Sequence, residues 1–338
     1  MSGPLLDVRD LSVDFTLDGG LFRPRQVVHA VDRVSFSIAP GATVGLVGES
    51  GCGKSTTGLA IMRLAEARGG QVHLDGQDLL AASGAGLREL RKKVQIIFQD
   101  PFSSLNPRLT AAQIVEEPLE ILGLGDKTSR RERVATLLRQ VGLSPEQSRL
   151  FPHQFSGGQR QRLGIARALA PAPRLLVCDE PVSALDVAVQ AQVLNLLARI
   201  QKETGIAMLF ISHDLSVVRH VSDEVVVMYL GRVAERGPVA TIFERPLHPY
   251  THALLSAIPS RDPDKNRAGK RIRLTGDVPS PLNVPSGCAF RSRCPHARER
   301  CASEKPPLRD LGPGHGVACH FAEEITTVSR TMRPNNAS

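Results

Sequence analysis

Alternating apolar and polar positions open the chain, and Leu5–Phe15 and Val34–Ile38 read on that pattern as half-buried strands. Between them, Asp18–Gln26 is a polar, glycine-containing excursion. The pattern then changes to short, near-continuous apolar runs at Ala42–Val47, Val94–Phe98, Leu175–Cys178 and Ile206–Ile211. Runs of this kind are expected of parallel strands covered on both faces. Ser55–Ala67 carries helical spacing directly after Ala42–Val47, which predicts strand, glycine loop and helix in succession. From Pro101 to about Phe155 the spacing is helical, over Leu109–Leu122 and Arg131–Val141, and predicts a helical insertion. Val225–Met228 and Arg232–Ala234 flank Leu230-Gly231 as a hairpin, and Tyr250–Ile258 is helical again. No internal repeat is present, so the pattern describes a single copy of this unit.

Beyond this the texture shifts. Pro259–Arg271 is rich in Pro, Asp, Lys and Arg and reads as a linker, whereas Leu274–Phe321 holds Cys288, Cys294, Cys301 and Cys319. The expected organisation is a main domain over 1–258 with a helical subdomain at about 101–158, a linker over 259–273, a Cys-rich module over 274–325 and a frayed tail over 326–338. A length of 338 residues suits two or three compact units. The aromatic content of 4%, with no Trp, argues against stacking on nucleic-acid bases. Lys and Arg are scattered rather than striped, so the net charge of +8 reads as a solvated basic surface and no nucleic-acid partner is expected. The apolar runs fall well short of the roughly 18 residues of a membrane helix. Met1–Asp10 lacks a basic segment leading into an apolar one, so the chain is expected in the cytoplasm. Thiols stay reduced there, and the cysteine group suggests metal before disulfide.

The chemistry concentrates in three places. Gly48, Glu49, Ser50, Gly51, Cys52, Gly53, Lys54 and Ser55 match G-x-x-x-x-G-K-S/T between a strand and a helix that continues through Thr56. The glycines let backbone N–H groups curl round phosphates, and the helix N-terminus adds its positive end. Lys54 then pairs with the β- and γ-phosphates of a nucleoside triphosphate, and the Ser55 hydroxyl ligates Mg2+. Leu175–Glu180 is a buried strand delivering two adjacent carboxylates at its C-terminal end, where α/β sheets bind ligands. On its own such a pair is a solvated strand end; beside a phosphate loop, Asp179 suits the Mg2+ shell and Glu180 the general base or water-orienting role. Gln99 and His213 each follow a core strand, so both emerge on the same edge. Ser156-Gly157-Gly158 precedes the helical stretch Gln159–Leu169. Ser156 reads as its N-cap, and the two residues without Cβ atoms also admit a second anion-binding helix start.

In this order and wording the motifs resemble those of ATP-binding cassette (ABC) transporter ATPases, over about Leu5–Phe321. The matches are the Walker A loop Gly48–Ser55, the Q-loop Gln99, the signature Ser156–Gln159, the Walker B Asp179 with Glu180, the D-loop Ser183–Asp186 and the switch His213. The resemblance implies an α/β fold: a P-loop NTPase core with an antiparallel β subdomain, a helical subdomain and a small Cys-rich C-terminal module. It implies that two cassettes pair head to tail, so that Ser156, Gly157, Gly158, Gln159 and Asp186 complete the partner's ATP site. It also implies that Gln99 joins the Mg2+ shell and, with the helical insertion, meets the membrane subunits. It further implies an aromatic before the core that stacks on adenine; no residue matches that place cleanly, and Phe15 is the candidate, with His29 behind it.

Phe98–Arg108, Asp179–Asp186 and His248–Leu255 are similar to the corresponding stretches of oligopeptide and dipeptide importer ATPases. That class implies a second, different ATPase subunit, two integral membrane permease subunits and an extracytoplasmic solute-binding protein. The chain would then sit on the cytoplasmic face of the cell membrane and energise uptake of peptides, or of a related solute such as a nickel or other metal complex. The C-terminal extension of the class carries cysteines like Cys288, Cys294, Cys301 and Cys319. Here five, six and seventeen residues separate them, unlike the paired C-x-x-C of common zinc modules. Four thiolates suit zinc or an iron–sulfur cluster, and the resemblance implies a 4Fe-4S cluster in a structural role, with zinc, unligated cysteines, or substitution of a ligand by His296, His315 or His320 as the alternatives. A soluble ABC ATPase acting on DNA or ribosomes fits less well, because no sustained heptads separate the phosphate loop from the signature and only one cassette is present.

Overall fold

The computed structural model describes residues 3–17, 25–258, 272 and 274–325. Apart from residue 272, the expected linker lies outside the described residues, as do the tail at 326–338 and most of the polar excursion after Phe15. The N-terminal alternation becomes β1 (Leu6–Leu17) and β2 (Gln26–Ile38), which pair antiparallel. In β1 the two-residue period is broken between Val8 and Leu11, where Asp10 has a φ of 49° and the register shifts. Strands β4 (Gly69–Leu74) and β5 (Gln77–Asp78), which the apolar pattern does not predict, complete a four-stranded sheet in the order β2-β1-β4-β5.

The continuous apolar runs form the second sheet: β3 (Thr43–Val47), β6 (Val94–Ile97), β7 (Leu175–Asp179), β8 (Ala207–Ser212) and β9 (Glu224–Tyr229). These five run parallel in the order β9-β3-β8-β7-β6. Every residue of β3, β7 and β8 is buried, as two covered faces require. Helix α1 (Lys54–Ile61) follows β3 and ends earlier than its spacing predicts, with Arg63 at a φ of 53° in the turn beyond it. After α2 (Gly84–Lys93), the insertion holds α3 (Ala111–Ile121) and α4 (Lys127–Gln140), both packed on α5 (Gly157–Leu169). Helices α6 (Val187–Thr204) and α7 (Leu215–Val221) cover the core sheet. No helix among the described residues is long and apolar enough to cross a membrane.

The predicted hairpin is β9 with β10 (Arg232–Pro238), followed by α8 (Val239–Glu244) and α9 (Pro249–Ser256). The cysteine segment contributes a short helix, α10 (Glu299–Ser303), and strands β11 (Arg309–Asp310) and β12 (Gly316–Val317). Strand β12 pairs with the free edge of β10, so this segment extends the core sheet to eight strands. The join is held by Glu235, which is fully buried and accepts from the N–H groups of Leu247 (2.7 Å) and His248 (3.0 Å), with His315 Nε2 at 2.7 Å. A buried carboxylate persists only with such partners.

Candidate functional site

The C-terminal ends of β3, β6, β7 and β8 open on one edge of the sheet, and the loops after them enclose a cavity of about 530 Å³. Ser50, Gly51, Gly53, Lys54, Ser55 and Thr56 line it from below, and Gln99, Glu180 and His213 from the side. The backbone explains the glycines: Gly53 has a φ of 102°, and a Cβ there would stand 2.2 Å from the Ala30 carbonyl oxygen. A Cβ on Gly48 would stand equally close, 2.2 Å, to the Met228 carbonyl. Lys54 is buried, and its ammonium donates to the carbonyls of Gly48 (2.9 Å) and Glu49 (3.1 Å).

Ser55 Oγ donates to Asp179 Oδ1 at 2.8 Å. Burial raises the Asp179 carboxyl above the usual carboxylate range, and the Glu180 charge adds to the shift against the Ser55 hydrogen bond. A carboxylate so placed is favoured by a cation beside it. Glu180 holds a left-handed backbone at a φ of 45°, fixed by its N–H donating to the Ile211 carbonyl at 3.0 Å. Gln99 Nε2 donates to Glu180 Oε2 at 3.0 Å, and His213 Nδ1 lies 3.1 Å from Oε1. An ammonium, a hydroxyl–carboxylate pair and a gripped carboxylate around one open cavity suit a triphosphate with a divalent cation and a water to be activated.

The sequence-predicted residues do not all meet there. Glu49 turns its carboxylate to Arg293, and Cys52 is buried beneath the loop. Ser156, Gly157, Gly158 and Gln159 stand at the start of α5, away from the cavity. Ser156 Oγ accepts from the Gln159 N–H at 3.3 Å while Gln159 Oε1 accepts from the Ser156 N–H at 3.0 Å, a reciprocal cap. Asp186 caps α6 next to it, accepting from the Val189 N–H at 2.9 Å. The first turns of the two helices touch, since a Cβ on Gly158 would meet Val189 Cγ1 at 2.4 Å. Phe15 is 44% exposed and pairs in register with Val28, a wall residue of the cavity. His29 is itself in the wall, its ring nitrogen 2.8 Å from Asp14.

Cys288, Cys294, Cys301 and Cys319 converge on a second, small cavity of about 10 Å³. Burial, together with the charges of the neighbouring cysteines, pushes the Cys294 and Cys319 thiols up to about 11. Among the described residues, no group of three or more His, Cys, Asp or Glu side chains is arranged to hold a metal ion. The sulfurs therefore share a cavity without forming the shell a single zinc ion requires, in which each sulfur lies about 2.3 Å from the metal. Of the expected substitutes, His315 is committed to Glu235, whereas His296 and His320 line the cysteine cavity. Sequence reasoning did not assign Arg293 or Tyr250 to the phosphate loop, nor Gly231 and Pro281 to the cavity wall. The only signal was indirect: Glu49 places an acidic side chain in a phosphate loop, where it needs a cation.

Residues 31–183 match the family model for ABC transporters, and residues 234–301 match that for the C-terminal region of oligopeptide/dipeptide transporters. A probable peptide ABC transporter ATP-binding protein of Sinorhizobium fredii, y4tS, is 52% identical over 95% of this chain and 90% of its own length. The di/tripeptide transport ATP-binding protein DppF of Pseudomonas aeruginosa is 50% identical over 95% of this chain and 98% of its own. Among solved structures, the dimeric cassette MJ0796 in a post-hydrolysis state with ADP and Pi is 28% identical, covers 69% of this chain and 98% of its own, and superposes with a TM-score of 0.62. The structure of cbiO1 from Clostridium perfringens, part of an ABC transporter complex, is also 28% identical, covers 72% of this chain and 92% of its own, and has a TM-score of 0.61.

Fold, site and relatives define an ATP-binding cassette ATPase, an enzyme that hydrolyses ATP. The chain belongs to the family of ABC transporter ATP-binding proteins, in the branch that carries the oligopeptide/dipeptide transporter C-terminal region.

Proposed function

We propose that this chain is the ATP-hydrolysing subunit of a peptide importer, seated on the cytoplasmic face of the membrane against two permease subunits. Its solute is a dipeptide or oligopeptide delivered by an extracytoplasmic binding protein. The observation that carries the reading is the joint placement of Lys54, Ser55 and Glu180 on one cavity, with Asp179 bonded to Ser55 behind it, in a chain half identical to peptide-transport ATP-binding proteins along nearly its whole length.

Lys54 and the loop amides take the phosphates of ATP; Ser55 and Asp179, with Gln99, hold Mg2+. Glu180 orients or deprotonates the attacking water, and His213 and Gln99 keep its two oxygens aimed. Phe15 supplies a face for adenine. Ser156–Gln159 and Asp186 stand together away from this cavity, which supports their serving the nucleotide of a second cassette, a different ATPase subunit, in a head-to-tail pair.

The cysteine segment is read as a small structural module. Cys288, Cys294, Cys301 and Cys319 line one cavity of about 10 Å³ without a metal-holding arrangement, so a 4Fe-4S cluster on these four thiols rests on the chemistry of the donor set and requires the segment to open around it. When bound, such a cluster would tie the segment's loops together. The test is purification of the complex: its ATP turnover should rise when peptide-loaded binding protein is added and vanish in Lys54→Ala, and anaerobic protein should carry iron and sulfide. Turnover indifferent to peptide would remove the import role, and stoichiometric zinc would remove the cluster.

A further inference from the structure

The cysteine segment also reaches the nucleotide site. Arg293, immediately before Cys294, is only 7% exposed and grips the Glu49 carboxylate with both prongs of its guanidinium, Nη1 to Oε2 at 2.6 Å and Nη2 to Oε1 at 3.0 Å. Paired, fork-to-fork geometry of this kind fixes orientation as well as charge. Glu49 is the second residue of the phosphate loop, and its other two polar groups are also engaged. Its N–H donates to the Tyr250 hydroxyl at 2.9 Å, and its carbonyl accepts from the Lys54 ammonium at 3.1 Å. Tyr250 is fully buried, with the Tyr229 ring at 4.8 Å and the ring of Phe290, from the cysteine segment, at 5.4 Å. A continuous path of contacts therefore runs from Arg293 through Glu49 to the lysine that faces the cavity. Without Arg293 the Glu49 carboxylate would be a loose negative charge beside bound phosphates, and the loop would lose its outer anchor.

We propose that Arg293 is a positioning residue of the ATP site: it holds Glu49, and through Glu49 sets the phosphate loop and Lys54, so that nucleotide affinity depends on the C-terminal segment. This rests on the reading of Gly48–Ser55 as the ATP loop.

Equilibrium binding of trinitrophenyl-ATP to the full chain, beside thermal melts of each variant, tests the idea. Wild-type protein should bind and Lys54→Ala should not, and a Lys54→Ala variant that binds normally would defeat the underlying site instead. Given that control, Arg293→Ala should bind about tenfold more weakly, within the range of coupling between linked sites. Glu49→Gln should weaken binding comparably, and Arg293→Lys, which keeps the charge but not the fork, should fall between. Adding Glu49→Gln to Arg293→Ala should cost nothing further, because both act on one contact. In the complex, the KM for ATP should rise more than kcat falls. A purely structural tie would lower the melting temperature and leave the Kd unchanged. That result, or additive losses in the double variant, would overturn the proposal; Glu49→Gln and Arg293→Lys carry the test should Arg293→Ala fail to fold.

Discussion

Replacing Glu180 with Gln keeps the side chain's size and removes its charge. In the structure Oε2 accepts from Gln99 at 3.0 Å and Oε1 faces His213 Nδ1 at 3.1 Å. The amide can satisfy one of these neighbours and presents an N–H₂ group to the other. His213 is more than half exposed, so water repairs that mismatch, and the fold should lose no more than about 0.5 kcal/mol, as for other changes at wetted positions. The chemistry should respond far more. A positioned general base contributes about 10²–10⁴ in rate, which is roughly 3–5 kcal/mol of barrier at 1.36 kcal/mol per tenfold. Affinity for ATP should hold, because Lys54 and the loop amides are untouched and a negative charge near the γ-phosphate is gone. Phosphate release in a single turnover, measured beside nucleotide binding and a thermal melt, separates these effects. Undiminished phosphate release in a folded, nucleotide-binding Glu180→Gln would refute the role assigned to the carboxylate.

Three further outcomes follow from the same geometry. Gly53→Ala should abolish nucleotide binding and lower stability by about 1–3 kcal/mol, since the added Cβ meets backbone 2.2 Å away at a φ of 102°; binding and denaturant melts check it. Glu235→Ala should cost about 3–5 kcal/mol in urea unfolding, because it leaves the Leu247 and His248 N–H groups and His315 unpaired where β12 joins β10, and Glu235→Gln should be milder. His248 is held neutral: burial drives its pKa down to about 4 against the pull of Glu235, with His252 adding to the depression, and its Nδ1 accepts from the Tyr250 N–H. The unfolded chain takes up that proton first, so stability should fall by about 3 kcal/mol as the pH drops from about 6.5 to 4. His248→Gln should flatten this part of the profile, and an unchanged slope would disprove the assignment.

Much of the site was legible because its residues are local. Gly48–Ser55, Asp179-Glu180, Gln99 and His213 each end a core strand, and a parallel sheet brings such ends to one edge whatever the details of packing. The parallel strands themselves were visible as apolar runs. Strands β4 and β5 were not, because Gly69–Leu74 and Gln77–Asp78 carry glycines and polar residues and owe their form to pairing, β4 with β1 and β5 with β4. Helix α6 was not predicted, although its ends carry local signals: Asp186 caps it and Gly205 closes it with a φ of 66°. The contacts of Arg293 with Glu49 and of Val317 with Glu235 join residues far apart in the chain and leave no local periodicity. They are the reason the cysteine segment reads as a separate module in sequence yet packs into the core sheet and the phosphate loop.

The most direct test of the account is uptake of a labelled dipeptide into vesicles that hold this chain with its permeases, partner ATPase and binding protein, with ATP on the cassette side. ATP-dependent accumulation that is lost in Lys54→Ala and in Glu180→Gln, the latter still binding nucleotide, is the predicted result. Peptide accumulation that proceeds undiminished with either variant would contradict it.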